Sequence, residues 1–139
     1  MQKKLVISLF IISFIVALFF TVLSLGWLII VFGLIAAVAI ILHVTAGALS
    51  IKALPASANL LVLSALCFVV LALLKYDLDD VGVYSGFSQF VHLIGLSEEP
   101  YIELTSIHQF FFILLLIAQV VIDFLLIRMY GWKKKNNTI

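Results

Sequence analysis

Three polar residues that stand in apolar stretches of the chain are the best candidates for chemistry: His43, Gln119 and Asp123. A histidine exchanges protons near neutral pH, and a carboxylate beside it would form a proton relay or a buried ion pair. His43 lies nine residues before Lys52, and Asp123 lies nine before Trp132. Each is therefore about 13 Å along a helix from the end of its apolar segment. The matching depths predict that His43 and Asp123 meet as a buried pair, with Gln119 as a third member.

Gln119 and Asp123 share a polar stripe with residues earlier in their own segment. At about 100° per residue, one face of a helix collects Thr105, His108, Gln109, Gln119 and Asp123. The stripe would be roughly 27 Å long, close to the thickness of the bilayer hydrocarbon. We expect this face to lie against protein or water and not against lipid.

A second chemical feature is the concentration of acid in one region. Six of the seven acidic residues fall between positions 77 and 103: Asp77, Asp79, Asp80, Glu98, Glu99 and Glu103. The calcium-loop pattern requires an Asp or Asn directly before its glycine, and Val81 occupies that position here. Glu99, Glu103 and His92 could form a zinc-like set, but nothing in the sequence requires one. We predict a solvated acidic surface and no metal site.

Catalytic and cofactor motifs are absent from the sequence. The chain has no GxSxG, HExxH, GxGxxG or P-loop pattern, and its single cysteine, Cys67, cannot form an intrachain disulfide. A bis-histidine haem would need two histidines at a common depth, whereas His43 lies toward one end of the helices and His92 and His108 lie toward the other. We therefore predict no catalytic residues and no cofactor.

The elements that must position these side chains follow from hydropathy. The chain is 65% hydrophobic, and residues 5–51 contain no Asp, Glu, Lys or Arg, whereas a spanning helix needs only about 20 apolar residues. The apolar runs predict an all-α integral membrane four-helix bundle, one domain over 1–139. Its spans are expected at about 5–23, 27–50, 55–74 and 101–130, with Pro55 and Pro100 in the first turns of the last two.

The basic residues predict the orientation of the bundle, because short cytoplasmic loops carry the excess of Lys and Arg. Seven of the eight fall at one end of the predicted spans: Lys3, Lys4, Lys52, Arg128, Lys133, Lys134 and Lys135. Both termini are then cytoplasmic, and an outer loop (residues 76–99) is extracytoplasmic. Lys75 alone lies at the outer end, where we expect Asp79 to offset it.

Within the outer loop the sequence predicts a short amphipathic helix. Its apolar face is formed by Phe87, Phe90, Val91 and Ile94, with Ser85 as the cap at its start and Gly95 at its end. The helix would either close the top of the bundle as a lid or lie in the outer headgroup region. His43 also shares one face of the second span with small residues: Ala36, Ala39, Ala46, Gly47 and Ser50. Such a face lets helices approach closely in a bilayer.

Three classes of function compete on this evidence. We expect a non-enzymatic membrane interaction protein, an anchor, sensor or accessory subunit of a larger system such as an immunity or phage-defence module. The alternatives are a subunit of an oligomeric ion or proton channel or transporter that uses the polar stripe and, with the weakest support, an intramembrane enzyme. The expected partners are the lipid bilayer, further copies of the chain and a second protein, but no nucleic acid. Short loops and the lack of sorting signals favour a bacterial inner membrane.

Overall fold

The computed structural model describes residues 3–26, 28–54, 56–103 and 105–131. This part of the chain contains five helices and one two-stranded hairpin: α1 (Lys3–Leu23), α2 (Leu28–Lys52), α3 (Ala58–Leu74), β1 (Tyr76–Leu78), β2 (Val83–Ser85), α4 (Gly86–Leu93) and α5 (Ser106–Gly131). The fold is all-helical as predicted, with a helix content of 76%. The expectations for Trp27, Pro55, Trp132 and the lysines at 133–135 lie outside the described residues.

Three of the helices are long and apolar enough to cross a membrane. They are α1, the segment Gly33–Lys52 of α2, and the segment Ser106–Tyr130 of α5. Helix α3 is equally apolar but has 17 residues, which corresponds to about 26 Å. Large apolar side chains cover the outside of the long helices, including Ile12, Leu34 and Ile107, which are 57%, 78% and 69% exposed. Such a surface suits contact with lipid, and the three apolar helices indicate a membrane protein.

Helix α3 lies at the centre of the packing, between α1 and α5, and α5 also packs on α2. One core cluster, near the end of α2, contains Val6, Phe10, Ala46, Ala58, Leu61, Ala65 and Leu126; a second contains Ala17, Phe68 and Ala72. Several of these residues are alanines, which allow the helix backbones to come close. The Phe10 ring of α1 reaches Gly47 of α2, where a Cβ atom would overlap the end of that ring.

The hairpin was not predicted from the sequence. Strands β1 and β2 pair antiparallel, and the Asp79 carboxylate closes the turn by accepting hydrogen bonds from the amides of Val81 (2.9 Å) and Gly82 (3.0 Å). The amide of Ile102 donates to the Val83 carbonyl at 2.7 Å, so the chain after Pro100 is extended along β2.

This pairing corrects the predicted start of the fourth span. Helix α5 begins at Ser106 and not near 101, because residues 101 and 102 are held against the hairpin. Glu99 and Glu103 consequently lie outside any helix. The other predicted helix limits differ from the observed ones by three residues or fewer.

Helix α4 occupies the place where the short amphipathic helix was predicted. Ser85 caps it through a reciprocal pair of hydrogen bonds with Ser88. Gly95 follows it with φ 76°, a left-handed conformation that glycine adopts without strain. The ring of Phe90 packs against Phe20 of α1, with 5.6 Å between centroids. Phe87 is 55% exposed, so α4 combines a docked side with an apolar side that points outward.

Candidate functional site

Four polar side chains from three helices meet in the interior as a buried polar cluster: His43 of α2, Ser64 of α3, and Gln119 and Asp123 of α5. Their exposed fractions are 0% for His43 and Ser64 and 1% for Gln119 and Asp123. Gln119 and Asp123 are four residues apart, so α5 presents both on the same face. The structure thus brings together the three residues predicted to meet and adds Ser64.

Asp123 is the acceptor at the centre of the cluster. The Ser64 hydroxyl donates to its Oδ1 at 2.6 Å, and the Gln119 amide nitrogen donates to its Oδ2 at 2.8 Å. The Nδ1 atom of His43 lies 3.4 Å from both oxygens. Two direct donors and a nearby imidazole are the surroundings that a buried carboxylate requires.

The imidazole of His43 is fixed by aromatic rings and by polar contacts at Nδ1. Its ring stacks on Phe68, with 4.2 Å between centroids and 20° between planes, and contacts Phe10 at 4.9 Å. Nδ1 lies 3.1 Å from both the Ser64 oxygen and the Gln119 nitrogen. A protonated Nδ1 can donate to Ser64, and an unprotonated Nδ1 can accept the second N–H of Gln119. The cluster can therefore hold its proton in more than one arrangement.

Two atoms of the cluster have no hydrogen-bond partner among the described residues: Nε2 of His43 and Oε1 of Gln119. A buried polar atom without a partner costs about 1–3 kcal/mol. The carboxylate and imidazole could exchange a proton, but all four side chains are enclosed by protein, so that proton has no exit to water in this conformation. No family model, curated protein or solved structure matches this chain. The role of the cluster is therefore inferred from its geometry.

The predicted polar stripe divides into an inner part and an outer part. Gln119 and Asp123 belong to the cluster, whereas Gln109 is exposed on the surface of α5. Thr105 precedes the helix, and its hydroxyl accepts a hydrogen bond from the His108 amide at 3.2 Å. The His108 Nε2 lies 2.9 Å from the Leu74 carbonyl, to which it donates. The outer residues thus start α5 and join it to α3, so the predicted stripe is not one continuous buried surface.

Asp77 departs from the predicted solvated acidic surface. Its exposed fraction is 0%, and its Oδ2 lies 3.5 Å from the Lys75 ammonium group. Lys75 also donates to the Ser24 carbonyl at 2.5 Å and to the Ser24 hydroxyl at 3.2 Å. Burial lowers the pKa of Lys75, and the nearby Asp77 charge opposes that shift. Asp77, and not Asp79 as predicted, offsets the basic residue at the outer end.

The remaining acidic residues divide between a structural role and exposure. Hydrogen bonds from the amides of Val81 and Gly82 lower the pKa of Asp79. Asp80, Glu98, Glu99 and Glu103 are exposed, as expected for a solvated acidic surface. The Nδ1 atom of His92 lies 3.1 Å from the Ser97 carbonyl oxygen. Within the described ranges no group of three or more His, Cys, Asp or Glu side chains is placed to hold a metal ion.

Ser64 is the cluster member that the sequence did not identify. The only signal was its position among the small residues Ser57 and Cys67 on one face of the third span. Serines in apolar helices commonly bond to their own backbone, as Ser24 does with the carbonyl of Phe20. Ser64 instead reaches across to α5, which becomes evident only once the helices are packed.

Proposed function

We propose that the chain is a four-span integral membrane protein, with α3 crossing the bilayer beside the three long helices. At about 26 Å, α3 is close to the hydrocarbon thickness of about 30 Å, and it packs between α1 and α5. Both termini are cytoplasmic in this proposal, and the outer loop with its hairpin and α4 is extracytoplasmic. The distribution of Lys and Arg supports this orientation, and the short loops between the helices suit a bacterial inner membrane.

Thiol labelling tests this topology with one cysteine at each predicted side. In a Cys67→Ala background, Asp80→Cys is expected to react with a membrane-impermeant thiol reagent on intact cells, because Asp80 is exposed in the outer loop. Lys52→Cys, which is also at an exposed position, is expected to react only after the cells are permeabilised. Reaction of both variants from the same side of an intact membrane would contradict the four-span arrangement.

Within this membrane frame, the function we propose is that of a non-enzymatic interaction protein. The observation that carries the proposal is the enclosure of the buried polar cluster, whose members are at most 1% exposed and bond mainly to one another. Polar side chains in a bilayer interior pair with one another or line a pathway. An enclosed set that joins α2, α3 and α5 fixes how these helices pack, which is the role of a structural lock.

The outer loop supplies the surface on which a protein partner would bind. Val81 and Leu96 are each 76% exposed, and Asp80, Glu98 and Glu99 stand close to them along the chain and are also exposed. Apolar side chains surrounded by charged ones are typical of protein interfaces. We propose that this surface binds a second copy of the chain or another membrane or secreted protein.

Photo-crosslinking in native membranes tests the interaction surface. A photoreactive amino acid in place of Val81 or Leu96 is expected to give a discrete protein adduct, either at twice the monomer mass or with a different polypeptide. The same amino acid in place of Leu34, which is 78% exposed on the apolar face of α2, serves as the matched control and is expected to react with lipid. Adducts with lipid or water alone at both loop positions would contradict the proposal.

A proton or ion relay is the second candidate function, and one observation favours it. His43 Nε2 and Gln119 Oε1 are buried polar atoms without a partner in the described part of the chain, and a transferred proton or ion could use such atoms. Conduction would require an oligomer or a conformation in which the cluster reaches water. Substitutions at His43 and Asp123 separate the two candidates, because a lock governs unfolding whereas a relay governs flux.

A further inference from the structure

A cavity of about 340 Å³ lies between α2, α3 and α5, in the half of the bundle that is closer to Lys75. Its wall is formed by aliphatic and aromatic side chains, among them Ala36 and Ala39 of α2, Ala72 of α3 and Leu116 of α5. The polar residues that line it are Thr21, Lys75, Tyr76 and Asp77. The cavity is therefore apolar along its length and carries its charged groups at one end.

The mouth of the cavity opens on the apolar outside of the bundle. Ile35 and Ile113 line the cavity and are also 53% and 54% exposed, so they belong to both surfaces. At the inner end the wall includes Phe68, whose ring stacks on His43. The cavity thus continues the lipid-facing surface inward and ends at the ring that covers the buried polar cluster.

We propose that this cavity binds one hydrocarbon chain of a membrane lipid, with the polar part of the lipid near Lys75, Tyr76 and Asp77. Its volume falls in the range of about 300–1,000 Å³ that is typical of ligand sites. Cavities lined by Leu, Ile and Phe exclude water and accept apolar guests even at about 150 Å³. From Phe68 to Lys75 the site extends about 10 Å along α3. A lipid is the occupant we infer because the mouth opens where the bilayer is the solvent.

The charged end of the site indicates that the cavity selects the hydrocarbon chain of a lipid and not the charge of its headgroup. The Lys75 ammonium group lies 3.5 Å from Asp77 and also contacts two oxygens of Ser24, so its three N–H donors already have acceptors. The pair contributes one positive and one negative charge. Zwitterionic and anionic lipids with the same chains should therefore bind equally well.

Photolabelling in nanodiscs tests the inference, which rests on the membrane placement proposed above but not on any protein partner. The probe is a phospholipid with a diazirine in its acyl chain, and the readout is the labelled peptide. Wild-type protein is expected to be labelled at Phe68 and Ala72, which are each 6% exposed and can meet a chain only through the cavity. Ala36→Phe is expected to reduce this labelling about tenfold, because the ring fills the site.

Ala37→Phe is the matched control, since Ala37 is exposed at the next position of the same helix, and its labelling of α3 should equal that of the wild type. Ala39→Leu repeats the test with a smaller side chain should Ala36→Phe fail to fold. Equal labelling of α3 in the filled and control variants would overturn the inference, as would labelling confined to exposed positions such as Leu34. If no helix were labelled, the membrane placement itself would fail. A preference for one headgroup charge would overturn the claim of chain selection.

Discussion

Replacing His43 with leucine is expected to lower the free energy of unfolding by about 3–5 kcal/mol, and replacing Asp123 with leucine by a similar amount. Either change removes one partner from a set that is at most 1% exposed. The Asp123 carboxylate would lose the imidazole that lies 3.4 Å away, and in the second variant the donors of Ser64 and Gln119 would lose their acceptor. Unfolding equilibria in bicelles or mild detergent measure the effect.

The double variant tests whether His43 and Asp123 stabilise the fold jointly or independently. His43→Leu combined with Asp123→Leu is expected to cost less than the sum of the two single changes, because no buried charge is left without a partner, although the donors of Ser64 and Gln119 still lack their acceptor. A coupling energy of at least about 1 kcal/mol should appear in the cycle. Thr45→Leu is the matched control: Thr45 is an exposed polar residue of the same helix whose hydroxyl bonds to its own backbone, and its replacement should change little.

The opposite pattern would favour the relay. If both single variants unfolded like the wild type, the cluster would not hold the helices together. If wild-type proteoliposomes also showed a proton flux that Asp123→Leu abolished, the chain would have to be a transport subunit and not an interaction protein. Strictly additive losses of stability, without coupling, would count against direct contact between His43 and Asp123.

The helices could be predicted because hydropathy alone determines them. A run such as 5–51, with no charged residue, has few alternatives to helix in a bilayer, since each backbone polar group must be bonded within the segment. The depth of His43 and Asp123 followed from helical rise in the same way, and the structure places Nδ1 of His43 3.4 Å from the carboxylate. Such inferences need only a count of residues along each helix.

Features that depend on packing between distant segments could not be predicted. The burial of Asp77 is set by Lys75, Ser24 and the hairpin that covers them, and no periodic pattern in the sequence indicates this. The strands are three residues each, too short for an alternation of polar and apolar residues to be recognised. Pro100 suits the first turn of a helix. However, residues 101 and 102 pair with β2, and α5 therefore begins only at Ser106.

Gly47→Val is expected to destabilise the fold by about 1–3 kcal/mol or more. A Cβ atom at Gly47 would overlap the ring of Phe10, and because Phe10 is buried, the ring could only shift by disturbing its neighbours. That ring also contacts His43, with 4.9 Å between centroids, and the shift would loosen the buried polar cluster. Ala48→Val is the matched control, because Ala48 is exposed at the next position of α2 and its replacement should leave the unfolding free energy nearly unchanged.

The sign of the Gly47 effect should reverse when the ring is removed. Phe10→Ala alone is expected to cost about 3–5 kcal/mol, because Phe10 is a buried member of the core and its loss leaves space between α1 and α2. In that background Gly47→Val should stabilise the protein, since the branched side chain refills part of the same space. If Gly47→Val were equally harmful with and without the ring, overlap with the Phe10 ring would not be the cause of the destabilisation. The reversal would instead show that the absence of a side chain at Gly47 leaves the space in which the Phe10 ring lies against His43.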